Sequence, residues 1–560
     1  MSDKIGIYVC ECGPNISGRV DIDRIIAEIS NLEEFSDKEL IVKPHKLLCS
    51  VGGKAFLEEE IKNNELTHLV CAACSPRDHD TTFINVCKKT QLNPYMYTIV
   101  NIREQCAWII PDKEKATDKA IQYIRGGIDR VLYQEPLFEK QLESNPDVLI
   151  IGGGMAGLTA ALVLAGKSRN VYLIEKTSIL GGKAALFSEF LPHQSDIADL
   201  KNKIKEVENN QYIRIFRNTE LEKIVGFLGN FEIVLKQNQT GDTTDLLAGA
   251  VILANGYELM DARELDNFKY TDADNVFTGL EIEEMLTSQG KITLRSGEKP
   301  RSAALIHCVG RKEAGYCSQV CCNYLLKTAG YLLKQVPGIE IIDLHQDLCQ
   351  PHTEDQAYFE SFKEKGMQFC RVQEVALDGN KIEYVNMAGE KKEIAPDMVI
   401  IAPAMKATAS NEALSALTSI DLHETGFFQE AHIKINPVST KTDGIFIAGA
   451  SRGPCDISEA MIQAQAAGGK ILTQLIPGEK IIPEVKVSEI LEAYCTGCKT
   501  CLDVCAYGAI YFDNERGISV VNEAICRGCG NCVGSCPSGA LRSRHFTNLQ
   551  LYQQVKEALR

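Results

Sequence analysis

Asp147-Val-Leu-Ile-Ile151-Gly152-Gly153-Gly154-Met155-Ala156-Gly157 is the stretch on which the reading of this chain turns. Val148–Ile151 are four apolar residues in a row, the pattern of a strand buried on both faces. The strand runs into GxGxxG, and Leu158–Ala165 continues with helical character. The next strand, Asn170–Ile174, ends at Glu175, 23 residues after Gly152. That order is a dinucleotide-binding βαβ unit. Gly152 permits the tight turn, Gly154 lets the backbone approach a pyrophosphate, and Gly157 lets helix and strand pack closely. The helix N-terminus, at Met155 and Ala156, faces the pyrophosphate charge. Glu175 is placed to hold the adenosine ribose. Lys176, Gly182, Lys183, Ala254 and Gly256 complete the expected site.

A second stretch returns to the same fold. Asp443-Gly-Ile-Phe-Ile-Ala-Gly449 is followed by Cys455-Asp456-Ile457-Ser-Glu459. Asp456 and Glu459 have capping-box spacing, so a helix is expected to start there. Its positive end can face the pyrimidine ring of a flavin, which becomes anionic on reduction. The expected ligand is therefore FAD, held by Gly449, Cys455, Asp456 and Ile457 as well as by the first turn. A nicotinamide site needs a second glycine-rich turn. The candidate strand Ser302–His307 runs instead into Cys308-Val309-Gly310-Arg311. In its place stand Cys308, Cys317, Cys321 and Cys322, enough ligands for one iron–sulfur cluster.

The chain has 22 cysteines, and eight of them fall in the last 76 residues. Cys495, Cys498, Cys501 and Cys505 repeat 31 positions later as Cys526, Cys529, Cys532 and Cys536. This is the bacterial ferredoxin spacing, in which three close thiolates hold one cluster and the fourth reaches the other. The expected sets are Cys495, Cys498, Cys501 with Cys536, and Cys526, Cys529, Cys532 with Cys505. Ala506 stands where the first run usually carries proline. A zinc ribbon also uses CxxC pairs, but two matched four-cysteine runs argue for 4Fe–4S clusters. The first 140 residues hold seven more cysteines, at 10, 12, 49, 71, 74, 87 and 106. Cysteines at adjacent strand ends can converge on one site, but spacing alone does not choose among these.

The remaining composition excludes several classes. At 560 residues, 45% apolar and 24% charged, the chain is globular rather than disordered. Its net charge is −16 and no basic block stands out, which argues against nucleic acid as a partner. No apolar run approaches a membrane span, and the start lacks an apolar leader, so a cytoplasmic location is expected. In a reducing compartment, cysteines at close spacing point to metal or redox chemistry. The expected domains are 1–135, a small α/β unit; 147–482, alternating strand and helix around a mainly parallel sheet, with a degenerate second nucleotide subdomain at about 260–400; 484–545, the two-cluster domain; and a C-terminal helix at 546–560. Tyr133–Pro146 has no strong periodicity and reads as a linker.

Taken together, these stretches resemble the A subunits of heterodisulfide reductases and their relatives over nearly the whole chain. The specific residues are Cys10-Glu-Cys12-Gly-Pro-Asn-Ile, Cys74-Ser-Pro-Arg-Asp-His-Asp, Asn101-Ile-Arg-Glu-Gln-Cys106, Tyr316-Cys317-Ser-Gln-Val-Cys321-Cys322 and Gly453-Pro-Cys455-Asp-Ile. The resemblance implies an N-terminal iron–sulfur domain, a thioredoxin-reductase-like FAD domain of two Rossmann-type halves, and a C-terminal ferredoxin domain. It points to Cys12, Cys49, Cys74 and Cys106 as N-terminal ligands, with Cys10 in reserve. Cys71, Cys87, Cys349 and Cys370 are then expected as buried structural thiols. It implies an oxidoreductase subunit that relays electrons through FAD and up to four 4Fe–4S clusters. Expected partners are subunits resembling heterodisulfide reductase B and C, or hydrogenase-, dehydrogenase- or quinone-linked proteins, in a hetero-oligomer that can contain two copies of this chain.

Two departures bear on the reaction. Full-length relatives often carry an extra ferredoxin module in the FAD domain, whereas residues 181–256 hold no cysteine. Many relatives also have lysine at the position of Cys455. Both argue against flavin-based electron bifurcation, which stands as a rival reading. Two further rivals are an NAD(P)H-linked enzyme of the glutamate synthase small-subunit type and a non-catalytic iron–sulfur scaffold or sensor.

Overall fold

The apolar strand Val148–Ile151 lies at the centre of a five-stranded parallel sheet. Across the sheet the order is Ile445–Ile447, Ala250–Leu253, Val148–Ile151, Val171–Glu175 and Ile213–Arg217. Side chains alternate between its faces with the two-residue period of a strand. Val148 and Ile150 pack under the helices Met155–Leu164 and Ile457–Gln474. Leu149 and Ile151 pack with Phe231, Ile233 and Leu235 of a three-stranded antiparallel sheet on the other face. Both faces are covered, which is why the strand contains no polar residue. The structure is a computed structural model that describes residues 3–187 and 197–559.

A second sheet holds the degenerate half. Val276–Thr278, Met398–Pro403, Ser302–Val309, Glu340–His345 and Gln368–Asp378 are parallel neighbours, and Lys381–Asn386 and Lys391–Ile394 extend them antiparallel. These elements belong to one compact unit, Leu142–Ile481.

The other unit joins both ends of the chain, Met1–Gln141 and Ile482–Arg560. Four parallel strands, in the order Glu39–His45, Lys4–Cys10, His68–Ala73, Tyr97–Asn101, carry the cysteine-bearing loops at their C-terminal edge. Ser50 caps the helix Val51–Asn64 by accepting the Gly53 N–H at 3.0 Å. The two-cluster tail uses the short strand pairs Ser488–Ile490 with Leu541–Ser543 and Ile510–Asp513 with Ile518–Val521. Its final helix, Asn548–Ala558, starts from a Thr547–Gln550 capping box and packs on the long helix Lys113–Leu132. Gly126 lets them approach, since a Cβ there would stand 3.3 Å from the Gln554 carbonyl oxygen. The Arg130 guanidinium donates to Gln554 Oε1 at 2.6 Å and lies over the Phe546 ring. His545 meets the Glu135 carbonyl at 2.7 Å, and the Gln550 amide donates to the Tyr133 carbonyl at 2.7 Å. The start of the expected linker is therefore pinned by the tail. No described helix is long and apolar enough to cross a membrane.

Candidate functional site

A cavity of about 600 Å³ opens at the C-terminal edge of the five-stranded sheet. This is where open parallel sheets bind ligands. Every residue expected at the dinucleotide site lines it except Gly157. Gly157 works from behind the wall: a Cβ there would lie 1.8 Å from the Gly152 carbonyl oxygen, so only glycine lets the helix seat on the turn. Gly152 has φ +109°, a conformation open to glycine. At Gly154 a Cβ would meet nothing within 4 Å and would project into open space. The cradle thus leaves room for a pyrophosphate and nothing bulkier on its backbone. Glu175 is held in place from both sides, accepting Gly153 N–H at 2.8 Å and Thr177 N–H and Oγ1 at 2.9 Å each. At the far wall Asp456 caps the helix Ile457–Gln474 by accepting Glu459 N–H at 2.8 Å. Its other carboxylate oxygen lies 2.8 Å from His352 Nε2. Cys455 is buried, and burial, with Glu459 and Asp456 close by, pushes its thiol far up. Lys183 donates to the Tyr257 carbonyl at 2.7 Å, and burial lowers its pKa. Shape and donor set fit FAD.

One charged pair in this wall carried no sequence signal. Lys327 lines the cavity, and its Nζ sits 2.6 Å from Glu283 Oε1. Both side chains are almost fully buried, at 6% and 0% exposure. The ammonium also lies over the rings of Phe187 and Tyr324, at 4.6 and 5.0 Å. Lys327 and Glu283 sit in different helices, Cys321–Gln335 and Gly279–Gln289, so only the tertiary fold pairs them.

The middle cysteines gather where a nicotinamide turn would stand. Cys308, next to last in the strand Ser302–Val309, has φ +59°. Its sulfur lies 3.9 Å from the Asp347 carbonyl oxygen, and the Cys322 sulfur lies 3.8 Å from the same oxygen. Cys317 receives the Gln319 N–H at 3.4 Å, and Arg311 lies beside both Cys308 and Cys317. Cys321 neighbours Cys322 and lines the flavin cavity. Cys349 joins them: its N–H donates to Cys322 Sγ at 3.3 Å, and its thiol neighbours Cys317. Cys349 and Cys370, expected to be buried, are only half-buried, because each sits on or beyond the exposed end of its strand. Cys71 and Cys87 are buried, as expected. Among the described residues, no group of three His, Cys, Asp or Glu is gathered tightly enough for a single metal ion. A 4Fe–4S cluster binds each thiolate to its own iron, so its ligands stand further apart.

In the first unit, Cys10, Cys12, Cys49 and Cys74 are near neighbours at the sheet edge. Arg103 lies beside Cys12 and Cys74. Burial pushes Cys74 up to about 11 despite Arg103. Cys106 is fully buried in the π-helical turn Arg103–Ala107, and burial pushes it up to about 12. In the tail, Cys495, Cys498, Cys501 and Cys536 line one small cavity. Cys532 has Cys526, Cys505 and Cys529 as its thiol neighbours. The fourth cysteine of each run thus lies with the first three of the other.

Residues 146–468 match the pyridine nucleotide-disulphide oxidoreductase family, and residues 494–540 match the 4Fe-4S dicluster domain. The protein is therefore a flavin-dependent oxidoreductase with an attached ferredoxin module, and its cofactors are FAD and 4Fe–4S clusters. The second iron-sulfur A subunit of CoB–CoM heterodisulfide reductase from Methanopyrus kandleri is 31% identical, covering 100% of this chain and 99% of the relative. The alignment is longer than this chain, so the relative holds segments with no counterpart here. The A subunit of the ferredoxin/F(420)H(2)-dependent CoB-CoM heterodisulfide reductase of Methanosarcina acetivorans is 32% identical over 99% of this chain and 81% of its own length. The chain belongs to the family of heterodisulfide reductase A subunits. Among solved structures, the thioredoxin reductase of T. acidophilum aligns at 18% identity with a TM-score of 0.41, over 59% of this chain and 99% of that one.

Proposed function

We propose that this chain is the flavin and iron–sulfur electron-transfer subunit of a heterodisulfide-reductase-like complex. It exchanges electrons between a donor protein and an acceptor protein, and it leaves the terminal substrate to a partner. The observation that carries this reading is the replacement of a nicotinamide turn by the cysteines at 308, 317, 321 and 322, one of which lines the flavin cavity. FAD supplies the exchange between electron pairs and single electrons, and the clusters supply one-electron conduction. The chain's own residues bind and orient: the glycine cradle seats the pyrophosphate, Asp456 sets the helix end, and the apolar walls exclude water. The four middle thiols hold one cluster, the tail holds two, and Cys12, Cys49, Cys74 and Cys106 hold a fourth. Proximity favours Cys10 as the reserve, so iron counts of Cys10→Ala and Cys106→Ala identify the ligand. The relatives named above act on CoB–CoM heterodisulfide, and a disulfide-reducing partner in the cytoplasm is the matching assignment.

The test is anaerobic quantitation of FAD, iron and sulfide per chain, followed by titration with NAD(P)H and then dithionite. One FAD and about sixteen irons, silent to NAD(P)H, are expected. About eight irons would confine clusters to the tail. Bleaching by NAD(P)H alone would overturn the relay in favour of a self-contained enzyme. Cys317→Ala should lose about four irons. A second reading, bifurcation, is favoured by Lys327, which returns to the cavity the cation that Cys455 does not provide. It requires the two one-electron potentials of the flavin to be inverted, the second electron entering more readily than the first, so that the same reductive titration shows a single two-electron flavin step.

A further inference from the structure

Asn255 lines the cavity between Ala254 and Gly256, and its side chain belongs to a hydrogen-bond network of fixed polarity. Asn411 Nδ2 donates to the Gly426 carbonyl at 2.9 Å. A carbonyl oxygen only accepts, so the other end of the Asn411 amide, Oδ1, is the end that faces Asn255. Asn411 Oδ1 receives the Thr408 hydroxyl at 2.8 Å and Asn255 Nδ2 at 2.8 Å. Asn255 Nδ2 also donates to Thr408 Oγ1 at 2.9 Å and to Ser410 Oγ at 3.3 Å. Turning the Asn255 amide over would set its oxygen against that of Asn411, two acceptors with no proton between them. The oxygen of Asn255 therefore points away from the network. It is buried and has no hydrogen-bond partner among the described residues. A buried acceptor without a donor is costly, and this one belongs to a residue in the wall of the cavity.

We infer that Asn255 Oδ1 accepts a hydrogen bond from a ribityl hydroxyl of the bound FAD and so sets the path of the ribityl chain between pyrophosphate and flavin ring. The inference rests on the assignment of this cavity to FAD. Asn255 follows the strand Ala250–Leu253, whose neighbours are Val148–Ile151 and Ile445–Ile447. The first neighbour carries the glycine turn, and the second leads to Gly449 and the helix that Asp456 caps. The backbone of Asn255 abuts the turn, since a Cβ on Gly152 would lie 3.0 Å from Asn255 Cα. Glu175, placed to hold the adenosine ribose, ends the strand Val171–Glu175 on the opposite side of Val148–Ile151. A dinucleotide that runs from Glu175 over the glycine turn to the Asp456 helix end thus passes Asn255 with the linker between its pyrophosphate and its ring. In FAD that linker is the ribityl chain, whose hydroxyls are donors. Phosphate oxygens only accept, so the same amide oxygen repels a pyrophosphate displaced from the glycine cradle. One acceptor then serves both binding and register.

The test is flavin binding to the full-length protein, stripped of FAD with its iron retained. The probes are FAD, analogues that each lack one ribityl hydroxyl, and analogues that each lack one hydroxyl of the adenosine ribose. Asn255→Ala should weaken FAD binding by roughly five- to tenfold. One ribityl analogue should show a loss of the same size in the wild type and no further loss in Asn255→Ala, because both changes remove one contact. Equal affinity of the wild type for FAD and every ribityl analogue overturns the inference, and that measurement needs no variant. Losses that add for every ribityl analogue overturn it too, as does a coupling confined to an adenosine hydroxyl. If Asn255→Ala does not fold, Asn255→Ser, which keeps a donor for Asn411, takes its place with the same outcomes. The two failures are distinguishable. Full flavin occupancy in Gly154→Val removes the cavity assignment and this role with it. Flavin released there, with additive losses at Asn255, removes the role alone.

Discussion

At Gly154 one hydrogen atom stands where any other residue would put carbon into the cavity. The open space around that position belongs to the cavity proposed to hold FAD. Gly154→Val should release FAD without unfolding the chain, read as flavin absorbance per protein against an unchanged thermal transition. Full flavin occupancy would refute the cradle. Lys327 and Glu283 make a different argument. Each is buried, and each offsets the other's charge. Removing one partner of such a pair typically costs about 3–5 kcal/mol. Lys327→Met should therefore lower the melting temperature sharply, while Lys327→Met with Glu283→Gln should recover most of the loss. Equal melting curves for the two variants would show that the pair does not act as a unit. Gly152, Gly154 and Gly157 were legible in the sequence because spacing alone assigns them. Lys327 was not, because a lysine at a helical position reads as surface until the opposing helix is seen.

Among elements, the helix Ile457–Gln474 matters most. Asp456 caps it and also engages His352, which comes from the loop between the strand Glu340–His345 and the helix Thr353–Glu364. Asp456→Ala should cost about 1 kcal/mol through the lost cap and reduce flavin affinity, measured by flavin release on dilution. The His352 contact adds a pH dependence. The hydrogen bond to Asp456 is the main cause of a raised imidazole pKa. A group whose folded value is raised stabilises fully below its unfolded value, about 6.5, and that contribution fades as pH rises through the folded value. Melting temperature should fall more steeply with rising pH above that value in the wild type than in His352→Gln, and parallel curves would discount the contact. The cap was readable from Asp456 and Glu459 at their spacing. The histidine was not, since 104 residues separate it from its partner. The strand Ser302–Val309 shows the same division. Its missing glycine turn was legible, but the approach of Cys349 depends on how the next strand's loop folds back.

At the scale of the molecule, the two iron–sulfur segments at opposite ends of the sequence form one compact unit. Arg130 is central to that union, with its guanidinium on Gln554, on the His545 carbonyl and over Phe546. Arg130→Ala should loosen the final helix from the helix Lys113–Leu132. The readout is faster hydrogen exchange in residues 546–559 with iron content unchanged. Unaltered exchange would mean the helix is held by its apolar contacts alone.

Local spacing carries the chemistry that was readable from the chain: the glycine turn, the capped flavin helix, the paired ferredoxin runs and the absence of a nicotinamide turn. Each is set within a few dozen residues, because phosphate, flavin and cluster impose their geometry on short stretches of backbone. Which distant groups meet was settled by folding in three dimensions. Folding paired Lys327 with Glu283, brought Cys10 and Cys349 beside other thiols, and joined the first segment to the last. Those pairings are fixed by how sheets and helices pack, and packing leaves no periodic trace in the chain.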